Sequence, residues 1–176
     1  MNKDTNNNIL SEEATVDAVW AILETVNDPE IPVLSIVDLG IIRDVEIVQD
    51  RNGNQITKVT ITPTYSGCPA MDVISIQIKM ALLANGFSNH IIQQTLSPAW
   101  TTDWITENGK LQLKAYGIAP PVGKSFDNAY LEDLQIECPQ CNSTNTELVS
   151  AFGSTACKAL FKCLDCKEPF DYFKCH

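Results

Sequence analysis

A chain of 176 residues is long for one ordinary domain and short for two full ones, so a single core of about a hundred residues plus a small satellite fits best. Its 44% hydrophobic and 19% charged residues are those of a soluble globular protein, and no apolar run nears the roughly 18 residues of a membrane span. A formal charge of -10 gives no basic footprint for phosphate, so no nucleic-acid partner is expected.

The opening "MNKDTNNNIL" has no apolar centre and no cleavage-like site. Residues 1–11 are therefore expected to be a disordered polar lead rather than a secretory signal, and the protein to be cytoplasmic. Residues 12–26, "EEATVDAVWAILETV", put Val16, Val19, Trp20, Leu23 and Val26 on one helical face, with Ser11 as a candidate N-cap. Pro29 and Pro32 in "NDPEIP" end that helix. Val45–Val48 and Ile56–Ile61 are β-branched runs separated by "QDRNGNQ", whose Asn52-Gly53 predicts a hairpin. Met71 to Ala84 carries Met71, Ile74, Ile78, Ala81 and Leu82 at helical spacing, and Asn85-Gly86 closes it. Ile91–Leu96 predicts a third strand. Thr101 or Thr102 can cap a last helix over 103–116, which Gly117 stops. The order α-β-β-α-β-α predicts a small α+β sandwich over residues 12–118. Residues 119–135 lose periodicity and read as a linker to a C-terminal domain, 136–176.

Six of the seven cysteines lie past residue 137. "CPQC" at Cys138–Cys141 and "CLDC" at Cys163–Cys166 each present two sulfurs from one tight turn. Two such knuckles complete a tetrahedral four-thiolate site, with Zn–S bonds of about 2.3 Å. Buried or redox-active cysteine pairs are the less favoured reading in a cytosolic chain. Four thiolates suit iron as well as zinc, and a structural zinc ribbon is the commoner outcome. Some 40 residues cannot bury enough core to fold alone, so the metal supplies much of the stability there, independently of the sandwich. Cys157 in "STACKALF" is expected to pack as a small hydrophobe. Cys175 and His176 are either a mobile tail or ligands for a second metal.

The seventh cysteine, Cys68, stands alone in "TYSGCPAMD". Gly67 lets the backbone turn, Pro69 fits the first position of a helix, and Cys68 is then expected at the N-cap, where the helix dipole favours a thiolate. An inert buried cysteine is the plainer alternative. Asp28 reads as a turn former, while Glu30, Asp38 and Asp44 can be simply solvated. Asp38 lies in the apolar "SIVDLG", and a carboxylate there needs a partner.

"NDPEIPVLSIVDLGIIRDV" followed by "TPTYSGCPAMD" resembles the SufT-like iron–sulfur assembly domain. Adding "PAWTTDWITENGKLQLKAYGIAPP" and the ending "FGSTACKALFKCLDCKEPFDYFKCH" makes the chain similar, nearly end to end, to the D-component family of the bacterial ring-1,2-phenylacetyl-CoA epoxidase of phenylacetate catabolism. The resemblance implies an accessory component that assists assembly of an iron–sulfur or di-iron centre, not the oxygenase. It implies Cys68 and Asp28 as an iron- or cluster-handling pair, with Thr64, Tyr65 and Ser66 supplying surrounding hydrogen bonds. A transient iron or iron–sulfur cargo would accompany the structural zinc. The implied partners are the other epoxidase subunits and iron–sulfur assembly proteins, and a homodimer is left open. The residues agree on catalysis: there is no ExxH for a di-iron helix and no GxGxxG for a flavin or nicotinamide. Two further readings compete. One is a thiol enzyme using Cys68, for which His90 is the sandwich's one histidine. The other is a structural adaptor of the complex with Cys68 inert.

Overall fold

The computed structural model describes residues 15–122, 131 and 134–174. Ser11, the polar lead, Cys175 and His176 lie outside the described residues.

Helix α1 (Val16–Leu23) is capped by Thr15, whose Oγ1 accepts the Ala18 amide at 3.1 Å. It buries Val19 and Leu23, while Val16 in its first turn is half exposed. The helix ends before Val26, and the Thr25 hydroxyl donates back to the Ile22 carbonyl at 2.7 Å. Strand β1 (Ile42–Gln49) pairs antiparallel with β2 (Gln55–Ile61). The turn between them is held by Asp50 Oδ1, which accepts the amides of Asn52 and Asn54 at 2.8 Å each. Helix α2 (Ala70–Ala84) buries Met71, Ile74, Ile78 and Leu82 and carries the chain over to β3 (His90–Gln94), which lies parallel to β2. The first sheet is therefore ordered β1-β2-β3.

The single helix expected over 103–116 is two pieces. A 3-10 turn, Thr102–Trp104, is capped by Thr101, and helix α3 (Glu107–Tyr116) is capped by Thr106. Ile105 and Thr106 between them are extended, because Ile105 buries its side chain and Thr106 is held elsewhere. Its hydroxyl donates to Asp38 Oδ1 and its amide to the Asp38 carbonyl. Asp38 also accepts Ser35 Oγ and Asn108 Nδ2 at 3.1 Å each, so the carboxylate in "SIVDLG" has its partners. Gly40 ends that loop at φ +72°, and a Cβ there would stand 2.6 Å from the Trp104 carbonyl oxygen.

After Gly117 the short strand β4 (Ile118–Ala119) pairs parallel with β7 (Pro169–Phe173). With β5 (Thr146–Ser150) and β6 (Lys158–Cys163) they form a second sheet, β4-β7-β6-β5. The fold is thus α+β with a C-terminal ribbon. The ribbon has its own small core around Phe161, Phe170 and Tyr172. Its other end belongs to the first core: Cys157 and Phe173 pack there, and Phe173 meets Trp100 edge-on at 6.1 Å.

Candidate functional site

The ribbon gathers Cys138, Cys141, Cys163 and Cys166 so that all four sulfurs lie within 4.8 Å of one another. Cys138 and Cys166 Sγ stand 3.8 Å apart, and Cys141 and Cys163 Sγ 3.6 Å. A tetrahedron with Zn–S bonds of about 2.3 Å has edges of about 3.8 Å, so the four fit one zinc ion. Each knuckle closes through a left-handed residue, Asn142 at φ 59° and Lys167 at φ 68°. Amides turn inward onto the sulfurs, and those of Cys166 and Asp165 hold the Cys163 thiol down to about 7. The site is structural: its four ligands leave no open position for a substrate.

A second constellation lies where the ribbon meets the sandwich. A cavity of about 10 Å³ is lined by Asp28, Glu30, Thr64, Cys68 and Cys157, over apolar walls that include Phe173. Asp28 is buried, and its Oδ1 accepts the amides of Glu30 at 2.9 Å and Ile31 at 2.8 Å. It is therefore a turn former as well as a wall of the cavity. Burial pushes its carboxyl up, against those two amides.

Cys68 follows Gly67, which turns at φ +83°. The N-cap of α2 is Pro69, so Cys68 precedes the cap instead of occupying it. Its thiol is pushed up rather than down. Burial is the main cause; Glu30 and Asp28 add to it, and the Ala70 amide and the Tyr65 hydroxyl oppose it. The expectation of a dipole-stabilised thiolate is thus reversed by a half-buried, acid-lined setting. Tyr65 bonds to Cys68 and is itself pushed up to about 12, mainly by burial. Ser66 is exposed and does not line the cavity.

Two residues line this cavity that the sequence did not place there. Glu30, expected to be solvated, points an oxygen at the Cys157 sulfur, 3.6 Å away. Cys157 is buried as expected, but beside carboxylates, and its thiol is pushed up to about 11, chiefly by burial. No sequence spacing connects positions that far apart. His90 is elsewhere: its Nδ1 meets the Phe87 carbonyl at 2.9 Å, and it is not a wall of the cavity. No helix among the described residues is long and apolar enough to cross a membrane.

Comparison with known proteins adds a family context. A family model described as "Iron-sulfur cluster assembly protein" matches residues 16–86, and one described as "PaaD zinc beta ribbon domain" matches 124–174. The chain is 49% identical over 160 residues, 91% of its length and 93% of the relative's, to an Escherichia coli (strain K12) protein named as the D component of a 1,2-phenylacetyl-CoA epoxidase. It is 35% identical over 109 residues to the "Fe-S protein maturation auxiliary factor" of Porphyromonas gingivalis, covering 61% of this chain and 96% of that one. A solved domain of unknown function, DUF59, from Bacillus anthracis matches at 30% identity and a TM-score of 0.49, over 56% of this chain and 90% of that one.

Proposed function

This chain belongs to the family of the 1,2-phenylacetyl-CoA epoxidase D component, and from that membership we propose that it matures the epoxidase by supplying iron to a metal centre held by another subunit. The observation that carries the reading is the cavity. It places Cys68 and Asp28 together, inside the segment that matches the iron–sulfur assembly family. A thiol beside carboxylates at a half-open position can take up a metal ion and release it, which the closed four-thiolate ribbon cannot do. Tyr65 steadies Cys68, and Thr64 adds a hydroxyl to the wall.

In this reading residues 12–118 form the assembly domain and 136–176 the ribbon that docks on it. The stretch 119–135, expected as a linker, instead begins inside the ribbon sheet, where Ala119 pairs with Tyr172, and returns to its core at Leu131. The partners are the remaining epoxidase subunits and the iron–sulfur assembly proteins. The chain performs no oxygenation itself. A Cys68 thiol enzyme is the weaker reading, because His90 stands away from the cavity and offers no base to the sulfur.

The test is an iron hand-over. Zinc-replete protein is loaded anaerobically with ferrous iron and mixed with iron-free epoxidase subunits. Iron should move to the acceptor from the wild-type chain and not from Cys68→Ser. Equal transfer from both would overturn the proposal.

A further inference from the structure

Cys157 lies outside the segment shared with the iron–sulfur assembly family, 16–86, yet its sulfur faces the same cavity as Cys68. The segment that carries it is firmly placed. Its carbonyl accepts the Lys174 amide at 2.9 Å, its sulfur meets Thr155 Oγ1 at 3.1 Å, and the neighbouring Phe173 is locked against Trp100. Cys157 is buried, yet its thiol points at Glu30 Oε2, 3.6 Å away, a polar contact that filling space alone does not require. Asp28 Oδ1 is engaged by two amides, whereas Glu30 turns its carboxylate towards the sulfur. The space between the walls, about 10 Å³, has room for one water or one ion.

We infer that the ribbon completes the iron-handling site: Cys68 and Cys157 supply two thiolates, and Glu30 a carboxylate, to a single ferrous ion. This rests on the maturation reading above and deepens it by naming the second thiol and the form of the cargo. Two sulfurs and one oxygen suit a borderline-soft divalent ion. Binding releases the two thiol protons to solvent, and the iron stays ferrous throughout. No three of these donors are drawn within 4.8 Å of one another, as the four ribbon sulfurs are. Loading therefore requires these donors to draw closer than they stand here, whereas the ribbon sulfurs are already in place.

Cobaltous ion, added anaerobically to the zinc-replete full chain, reports the thiolates by their charge-transfer absorption. One equivalent should bind without releasing zinc and show the intensity of two thiolates. Cys68→Ser and Cys157→Ser should each remove about half of that intensity. Glu30→Gln should keep the intensity and weaken binding by about tenfold or more. The inference is overturned if the wild-type chain binds no such ion or shows one thiolate, or if Cys157→Ser matches wild type. Should Cys157→Ser fail to fold, the wild-type intensity and the Glu30→Gln affinity decide alone. The iron hand-over separates the two claims. If Cys157→Ser delivers iron as wild type does and Cys68→Ser does not, the inference falls and the maturation role stands. If neither change affects delivery, the maturation role falls too.

Discussion

Cys157 Sγ and Glu30 Oε2 lie 3.6 Å apart although 127 positions separate them in the chain. The contact joins a loop of the assembly segment to the base of the ribbon. With Phe173 on Trp100, it makes the ribbon a wall of the sandwich's cavity rather than a detached satellite.

Zinc removal should therefore reach beyond the ribbon. The sequence suggested that residues 136–176 would unfold and leave the sandwich untouched. Because Cys157 and Phe173 sit in the first core, Cys163→Ser should also loosen Ile31, Ile41 and Ile74, which line the shared cavity. Hydrogen exchange on Cys163→Ser should show lost zinc, lost protection in the ribbon, and raised exchange at those three amides. Unchanged exchange at the three would mean that the two cores are independent.

Phe173→Ala removes the ring that joins the cores. Phe173 is 1% exposed, so the loss should be about 3–5 kcal/mol in urea unfolding. Zinc should remain bound, since the four thiolates lie at the opposite end of the ribbon sheet. A cost below about 1 kcal/mol would show that the junction is not packed as described.

Asp28 can be tested as turn former and as cavity wall separately. Asp28→Ala leaves the Glu30 and Ile31 amides without their acceptor and should cost about 1–3 kcal/mol. Asp28→Asn keeps an acceptor oxygen there and should cost less than about 1 kcal/mol. Thermal unfolding of the two variants gives the comparison, and equal losses would contradict the capping role.

Asp38→Ala removes the acceptor shared by Ser35, Thr106 and Asn108, which fixes the start of α3 against the "SIVDLG" loop. It should destabilise the sandwich by about 2–3 kcal/mol while the zinc content stays at one ion. A neutral change in urea unfolding would contradict that anchoring.

What the sequence made legible was local. The ribbon ligands follow from two CxxC knuckles, α2 from the spacing of Met71, Ile74, Ile78 and Leu82, and the hairpin from Asn52-Gly53. Asp38's need for a partner was readable, but the partner was not, because Thr106 lies 68 positions away. The same feature broke the predicted helix, since Thr106 bonds to Asp38 while capping α3. Cys157 looked like packing because its environment is made by distant segments, and Cys68 looked like a thiolate because its burial is made by those same segments. Spacing reveals ligands on one turn; it does not reveal walls assembled from opposite ends of a chain.

The central claim is that this chain loads iron into a partner. The most direct measurement is the iron content of the remaining epoxidase subunits, purified together from cells that lack this chain. The account predicts subunits made in normal amount but poor in iron, restored by the wild-type chain and not by Cys68→Ser. Full iron content in the absence of this chain would contradict it.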